Sequence, residues 1–160
     1  MNTIKLTAPK KLSLSIKFFI KNMGLTNRPR FLKFTNISEA YKSSFCFNNC
    51  ELESKQSGAK TVFGWTIWED KKHSFLEAEF HAVLFKNNTL IDITPRIDNE
   101  PKILFIPDSE RMAVRHDKNT WDTWTPFKAV RGHLVEISRP ILRRVDPKIQ
   151  GEYKSFEIQN

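Results

Sequence analysis

The stretch Phe75-Leu-Glu-Ala-Glu-Phe-His-Ala-Val-Leu-Phe-Lys86, with Asn87-Asn88 and then Thr89-Leu-Ile-Asp-Ile-Thr94, decides how this chain is read. Side chains on a strand alternate between its two faces. Over residues 75–86 that alternation puts Ala78, Phe80, Ala82 and Leu84 on one face, which reads as core. It puts Glu77, Glu79, His81 and Val83 on the other. Two asparagines between two such runs are the chemistry of a tight hairpin turn. A hairpin centred between residues 87 and 88 sets Asp92 opposite Val83, two residues from His81. Diagonal neighbours at that offset lie roughly 7–8 Å apart at Cα, within reach of an aspartate and an imidazole.

The neighbouring segments extend a sheet outward from this hairpin. Thr61–Glu69 is rich in β-branched and aromatic residues and predicts a strand, with Asp70–Ser74 as a polar turn. Lys102–Pro107 predicts another strand, His133–Ile137 a further one, and Ile141-Leu142 its continuation past Pro140. Leu12, Leu14, Ile16 and Phe18 alternate with polar residues and also read as a strand. Ser38–Phe45 reads as a short helix, with Ser38 as its N-cap. The expected fold class is α+β, an antiparallel meander with helices packed beside it.

Length and composition limit what the chain can be. Its 160 residues suit one domain, and 13 Phe with 4 Trp exclude a mainly disordered protein. Five Gly and eight Pro exclude collagen-like and low-complexity classes. No run reaches the roughly 18 apolar residues that a spanning helix needs. The charge is uneven. Lys5, Lys10, Lys11, Lys17, Lys21, Arg28, Arg30 and Lys33 stand in residues 1–33 without one acid, and they account for the whole net charge of +8. The sequence therefore divides into a basic N-terminal arm (1–33), able to meet a nucleic acid or an anionic surface, and a single α+β domain (34–160). The apolar run Leu12–Ile20 is interrupted by Lys17 and lacks a small-residue cleavage site, so it is a poor export signal. A reducing cytoplasm is expected, with Cys46 and Cys50 as thiols.

A histidine held by an aspartate is half of a nucleophilic site, and a thiol upstream completes it. Cys46 and Cys50 both precede His81. The thiolate attacks, the imidazole takes and returns its proton, and the carboxylate fixes the tautomer. The run His81-Ala-Val-Leu-Phe85, Asn87-Asn88 and Leu90-Ile-Asp-Ile-Thr-Pro95 resembles the end of a transglutaminase-like core, within the papain-like group of cysteine enzymes. The resemblance covers about residues 38–95. It implies Cys46 as nucleophile, His81 as base and Asp92 as orienting residue, with no cofactor or metal, acting on a protein, a peptide or a small amide. That family carries its cysteine at a helix N-terminus, whereas composition here puts the clearer helix before Cys46 and a more helical stretch after Cys50. Cys50 is therefore the alternative nucleophile. Asn48 or Asn49 would supply an amide donor for an oxyanion, and Glu79 would tune the histidine or recognise substrate.

Two other readings compete. Cys46, Cys50 and His81, joined by Glu79, His73 or Asp92, offer zinc ligands, but Cys-x3-Cys lacks a second matching pair. Trp121 and Trp124 stand before Arg131, His133, Arg139, Arg143 and Arg144. With the basic arm, that region suits a non-catalytic nucleic-acid-binding module, although tryptophans at this spacing more often anchor a loop to the core.

Overall fold

Residues 60–91 form the centre of the main sheet, as their period of two requires. The computed structural model describes residues 2–98, 100–135, 140–150 and 155–158. In chain order the elements are β1 (Asn2–Lys5), α1 (Leu14–Asn22), β2 (Arg30–Lys33), α2 (Cys46–Ser57) and β3 (Lys60–Asp70). There follow β4 (Phe75–Lys86), β5 (Thr89–Ile91), β6 (Lys102–Pro107), β7 (Val114–Arg115), β8 (Trp121–Trp124) and β9 (Phe127–Val130). The last are β10 (His133–Leu134), β11 (Leu142–Val145), α3 (Pro147–Gln150) and β12 (Ser155–Ile158). The architecture is α+β, and every named strand pair is antiparallel.

The main sheet runs in the order β10-β9-β4-β3-β6-β2, with β5 also on β4. Only β3, β4 and β5 follow as a meander. The next strand, β6, crosses back to the far edge of β3, and β9 takes the edge of β4 beyond β5. A simple meander is thus corrected. β3 presents apolar Trp65 and Ile67 on one face and buried Thr66 and Trp68 on the other, so it belongs at the centre of a sheet covered on both sides. The turn at Asn87-Asn88 has both residues at positive φ (51° and 60°), which a tight hairpin needs. Leu84 pairs with Ile91 there, the register expected from the sequence.

One face of this sheet carries Trp65, Ile67, Ala78, Phe80, Ala82, Leu104, Ile106 and Phe127. Against it pack Ile16, Phe19 and Ile20 of α1 and Phe47 and Cys50 of α2. The other face is apolar at one end, where Val83, Phe105, Ile103 and Leu32 cluster. It is polar at the other, where Glu77 and Glu79 stand. A second sheet, β11-β8-β7, is tied to α2 by Arg115, which donates to both carboxylate oxygens of Glu51 (2.8–3.1 Å).

Three local expectations change. Residues 12–18 are not a strand: Ser13 caps α1, its Oγ accepting from the Ile16 amide at 3.2 Å, and Ile16, Phe19 and Ile20 then form a helical stripe. Segment 1–33 is not a free arm, because β1 pairs with β12, α1 packs in the core and β2 pairs with β6. Its eight cations are all exposed, five on these elements and Lys10, Lys11 and Arg28 in the segments that join them. Residues 38–45 form turns rather than a helix, since the Ser38 hydroxyl accepts from the Ala40 amide and Ser44 sits at φ 68°. The region of Trp121 and Trp124 is a strand. Of the expected strand 133–137, residues 133 and 134 form β10, and Glu136, Ile137 and also Arg139 lie outside the described residues.

Candidate functional site

β4 is twelve residues long, and its neighbours do not cover all of it. β3 pairs along its whole length on one side, while on the other β9 pairs with residues 75–78 and β5 with 84–86. Residues 79–83 are left between them, and His81 stands in the middle of that interval. The hairpin brings Asp92 to it, and α2 brings Cys46.

Cys46 is the first residue of α2. Phe45 precedes it as a cap that offers no side-chain acceptor, so the first amides of the helix keep their donor capacity. The turn at Ser43-Ser44, with Ser44 left-handed, aims this helix start into a cleft lined by both serines and by Cys46. The helix therefore begins at the cysteine instead of ending before it. The capping position holds Phe45 in place of the usual Ser, Thr, Asp or Asn, so this boundary carries no local signal in the sequence.

His81 Nε2 lies 3.1 Å from Asp92 Oδ1. Asp92 is 1% exposed, its Oδ1 also accepts from the Thr94 amide (3.3 Å), and its carbonyl accepts from the Thr35 amide (2.8 Å). With Nε2 turned to Asp92, Nδ1 is the other ring nitrogen, and Cys46 is near enough to act on the imidazole electrostatically. Burial by itself would push the imidazole down. Electrostatic attraction to Cys46 and Asp92, with the hydrogen bond to Asp92, outweighs burial and raises His81 well above the usual 6.5.

Cys50 lies one turn further along α2, is fully buried, and does not line the cleft. Burial first, then the nearby Cys46 and Asp92 charges, push its thiol well up, so it stays neutral. Asn49 is not a free amide. Its Nδ2 donates to Thr94 Oγ1 (3.1 Å) and to the Lys42 carbonyl (2.9 Å), and its Oδ1 accepts from the Lys42 amide. It ties the helix start to the loop before it and to the strand end that carries Asp92. Asn48 accepts from Trp121 Nε1 (3.0 Å) and docks β8 on α2, and neither asparagine lines the cleft. Glu79 does line it, exposed on the same face as His81.

The cleft has a volume of 520 Å³. Its floor is the polar half of the sheet, and Thr123 and Arg143 of the second sheet contribute to its wall. Thr66, Trp68, Thr123 and Arg143 were missed as site residues. Thr66 and Trp68 sit directly opposite Glu79 and Glu77, so the β3–β4 register would have found them. Thr123 and Arg143 belong to strands without a periodic signal. Among the described residues no group of three His, Cys, Asp or Glu is arranged to hold a metal. His73 lies on the 3₁₀ turn Lys71–His73, its Nδ1 2.7 Å from Asp70. None of the helices is long and apolar enough to cross a membrane, among the described residues. No family model, no curated protein and no solved structure matches this chain.

Proposed function

We propose that this chain is a cysteine-dependent acyl-transfer enzyme, a hydrolase, deamidase or transamidase of amide substrates, on a transglutaminase-like, papain-like core. One observation carries the reading: a cysteine at the start of a helix and a buried His–Asp pair converge at the end of a cleft. Cys46 supplies the sulfur, and His81 takes its proton as the thiol is activated. The thiolate adds to the substrate carbonyl, and backbone amides at the start of α2 stabilise the developing oxyanion. His81 protonates the leaving amine as the C–N bond breaks, which leaves a thioester on Cys46. Water or an amine then gives a proton to His81, attacks the thioester and releases the thiol. Asp92 holds the ring in the tautomer that this exchange needs.

The test is iodoacetamide labelling of each cysteine as a function of pH, in the native protein and in His81→Ala. Labelling of Cys46 that is retained well below pH 8 and collapses in the variant is the expected result. If both thiols follow the free-cysteine titration near about 8.5, or react only on unfolding, the mechanism fails.

A further inference from the structure

The cleft extends well past the nucleophile, from His81 along β4 to Glu79 and Glu77. Those two carboxylates are not equivalent. Glu77 is engaged and faces Lys128 of β9 in register. Glu79 makes no hydrogen bond and no ion pair among the described residues; Arg143 reaches it only as a charge acting across the cleft. Directly opposite Glu79 on β3 stands Thr66, 3% exposed.

A second, independent feature points to a ligand here. Three buried side-chain polar atoms lack a partner among the described residues: Thr66 Oγ1, Trp68 Nε1 and Thr123 Oγ1. All three residues line this cleft. Buried polar groups normally find partners, so a cluster of orphans along one cavity marks where an absent molecule supplies them.

We infer that Glu79 and Thr66 form a subsite for a primary ammonium group carried by the acyl substrate, two strand residues (roughly 7 Å) along β4 from His81. This rests on the cysteine-enzyme reading above and names its substrate class. Facing residues of an antiparallel pair are roughly 5 Å apart at Cβ. An ammonium between them donates one N–H to the carboxylate and another to the hydroxyl. Trp68 Nε1, next along the same face of β3, can only donate, so it suits a carbonyl oxygen of the same substrate. A lysine-bearing peptide segment carries both groups. The ammonium is not the attacking amine, because a carboxylate holds it protonated and a protonated amine is no nucleophile.

Two matched reagents test this: N-(3-aminopropyl)chloroacetamide, which carries the ammonium, and N-(3-hydroxypropyl)chloroacetamide, which has the same length without charge. The readout is the ratio of their alkylation rates at Cys46. In the native protein the ammonium reagent is expected to react about tenfold faster, the scale of one charge-assisted hydrogen bond. The ratio falls to near one in Glu79→Gln. It falls severalfold in Thr66→Val, which changes no charge, and it persists in Glu77→Gln. Equal rates in the native protein overturn the subsite, as does a preference that survives Glu79→Gln. So does an equal loss in Glu77→Gln and Glu79→Gln, which marks a general field and not a site. If neither reagent labels Cys46 in a His81-dependent way, the cysteine-enzyme reading itself falls, and this inference with it.

Discussion

Asp108 shows how a single residue ties sequence to stability in this fold. It follows Pro107 at the end of β6, where its Oδ2 accepts from Trp65 Nε1 and from the Arg111 guanidinium, each at 2.9 Å. Its Oδ1 accepts from the amides of Glu110 and Arg111. Burial alone would raise the carboxyl. The indole, the amide of Glu110 and the guanidinium of Arg111 outweigh burial and hold it below its ordinary 3.8. A carboxyl whose folded pKa lies below its unfolded pKa stabilises the fold fully above the unfolded value, and that stabilisation is lost as pH falls through the folded one. Urea unfolding of the native protein is therefore expected to weaken steeply below pH 3.8. In Asp108→Asn the acid slope is expected to be smaller by up to one proton. An unchanged slope would mean that Asp108 titrates alike in both states.

At the scale of elements, β3 carries a constraint that its composition conceals. Gly64 pairs with His81 across the β3–β4 ladder and with Pro107 across β3–β6. A Cβ placed on it would lie 2.2 Å from the Ile106 carbonyl oxygen and 2.6 Å from the ring of Phe105. The carbonyl is ladder backbone and cannot withdraw without breaking the sheet. The ring of Phe105 packs edge-on to His81, with centroids 6.3 Å apart. Gly64→Ala is expected to destabilise by about 3 kcal/mol, the upper end of ordinary overpacking, with an unchanged urea slope, and to slow Cys46 labelling by displacing His81. A loss under about 1 kcal/mol would show that the two strands yield more easily than sheet packing allows. The same element scale explains the helix boundary. Nothing in Phe45 signals a cap, yet the left-handed turn at Ser44 and the amide bonds of Asn49 stop the chain from being helical any earlier.

At the scale of the whole molecule, the basic N-terminal segment is structural as well as charged. Ile16, Phe19 and Ile20 of α1, and Met23 at its C-terminal cap, are buried in the main core. Burying four such side chains contributes about 8 kcal/mol, comparable with the entire net stability of an ordinary domain, roughly 5–15 kcal/mol. Deletion of residues 1–33 also removes β2 from the sheet edge. The truncated chain is expected to show no cooperative urea transition by circular dichroism. A sigmoidal transition with native labelling at Cys46 would mean that the segment is dispensable. Because this truncation disrupts the fold, the nucleic-acid reading is better tested by reversing the charge of exposed Lys10, Lys11 and Lys17 and measuring affinity against salt.

Local chemistry, read from the sequence, determined the central hairpin with its register, the shared face of Glu77, Glu79 and His81, and the approach of Asp92 to His81. Each follows from period-two alternation and one turn, which act over a few residues. Only tertiary structure decided that Cys46 opens a helix, that β6 and β9 flank β3 and β4, and that the second sheet walls the cleft. Those outcomes depend on contacts between residues such as Asn49 and Thr94, or Trp121 and Asn48, which lie 45 and 73 positions apart. No periodicity within one segment records a partner that distant. The choice of helix or strand at residues 12–22 went the same way, since packing of a whole apolar stripe against the sheet outweighs the weak preferences of the individual residues.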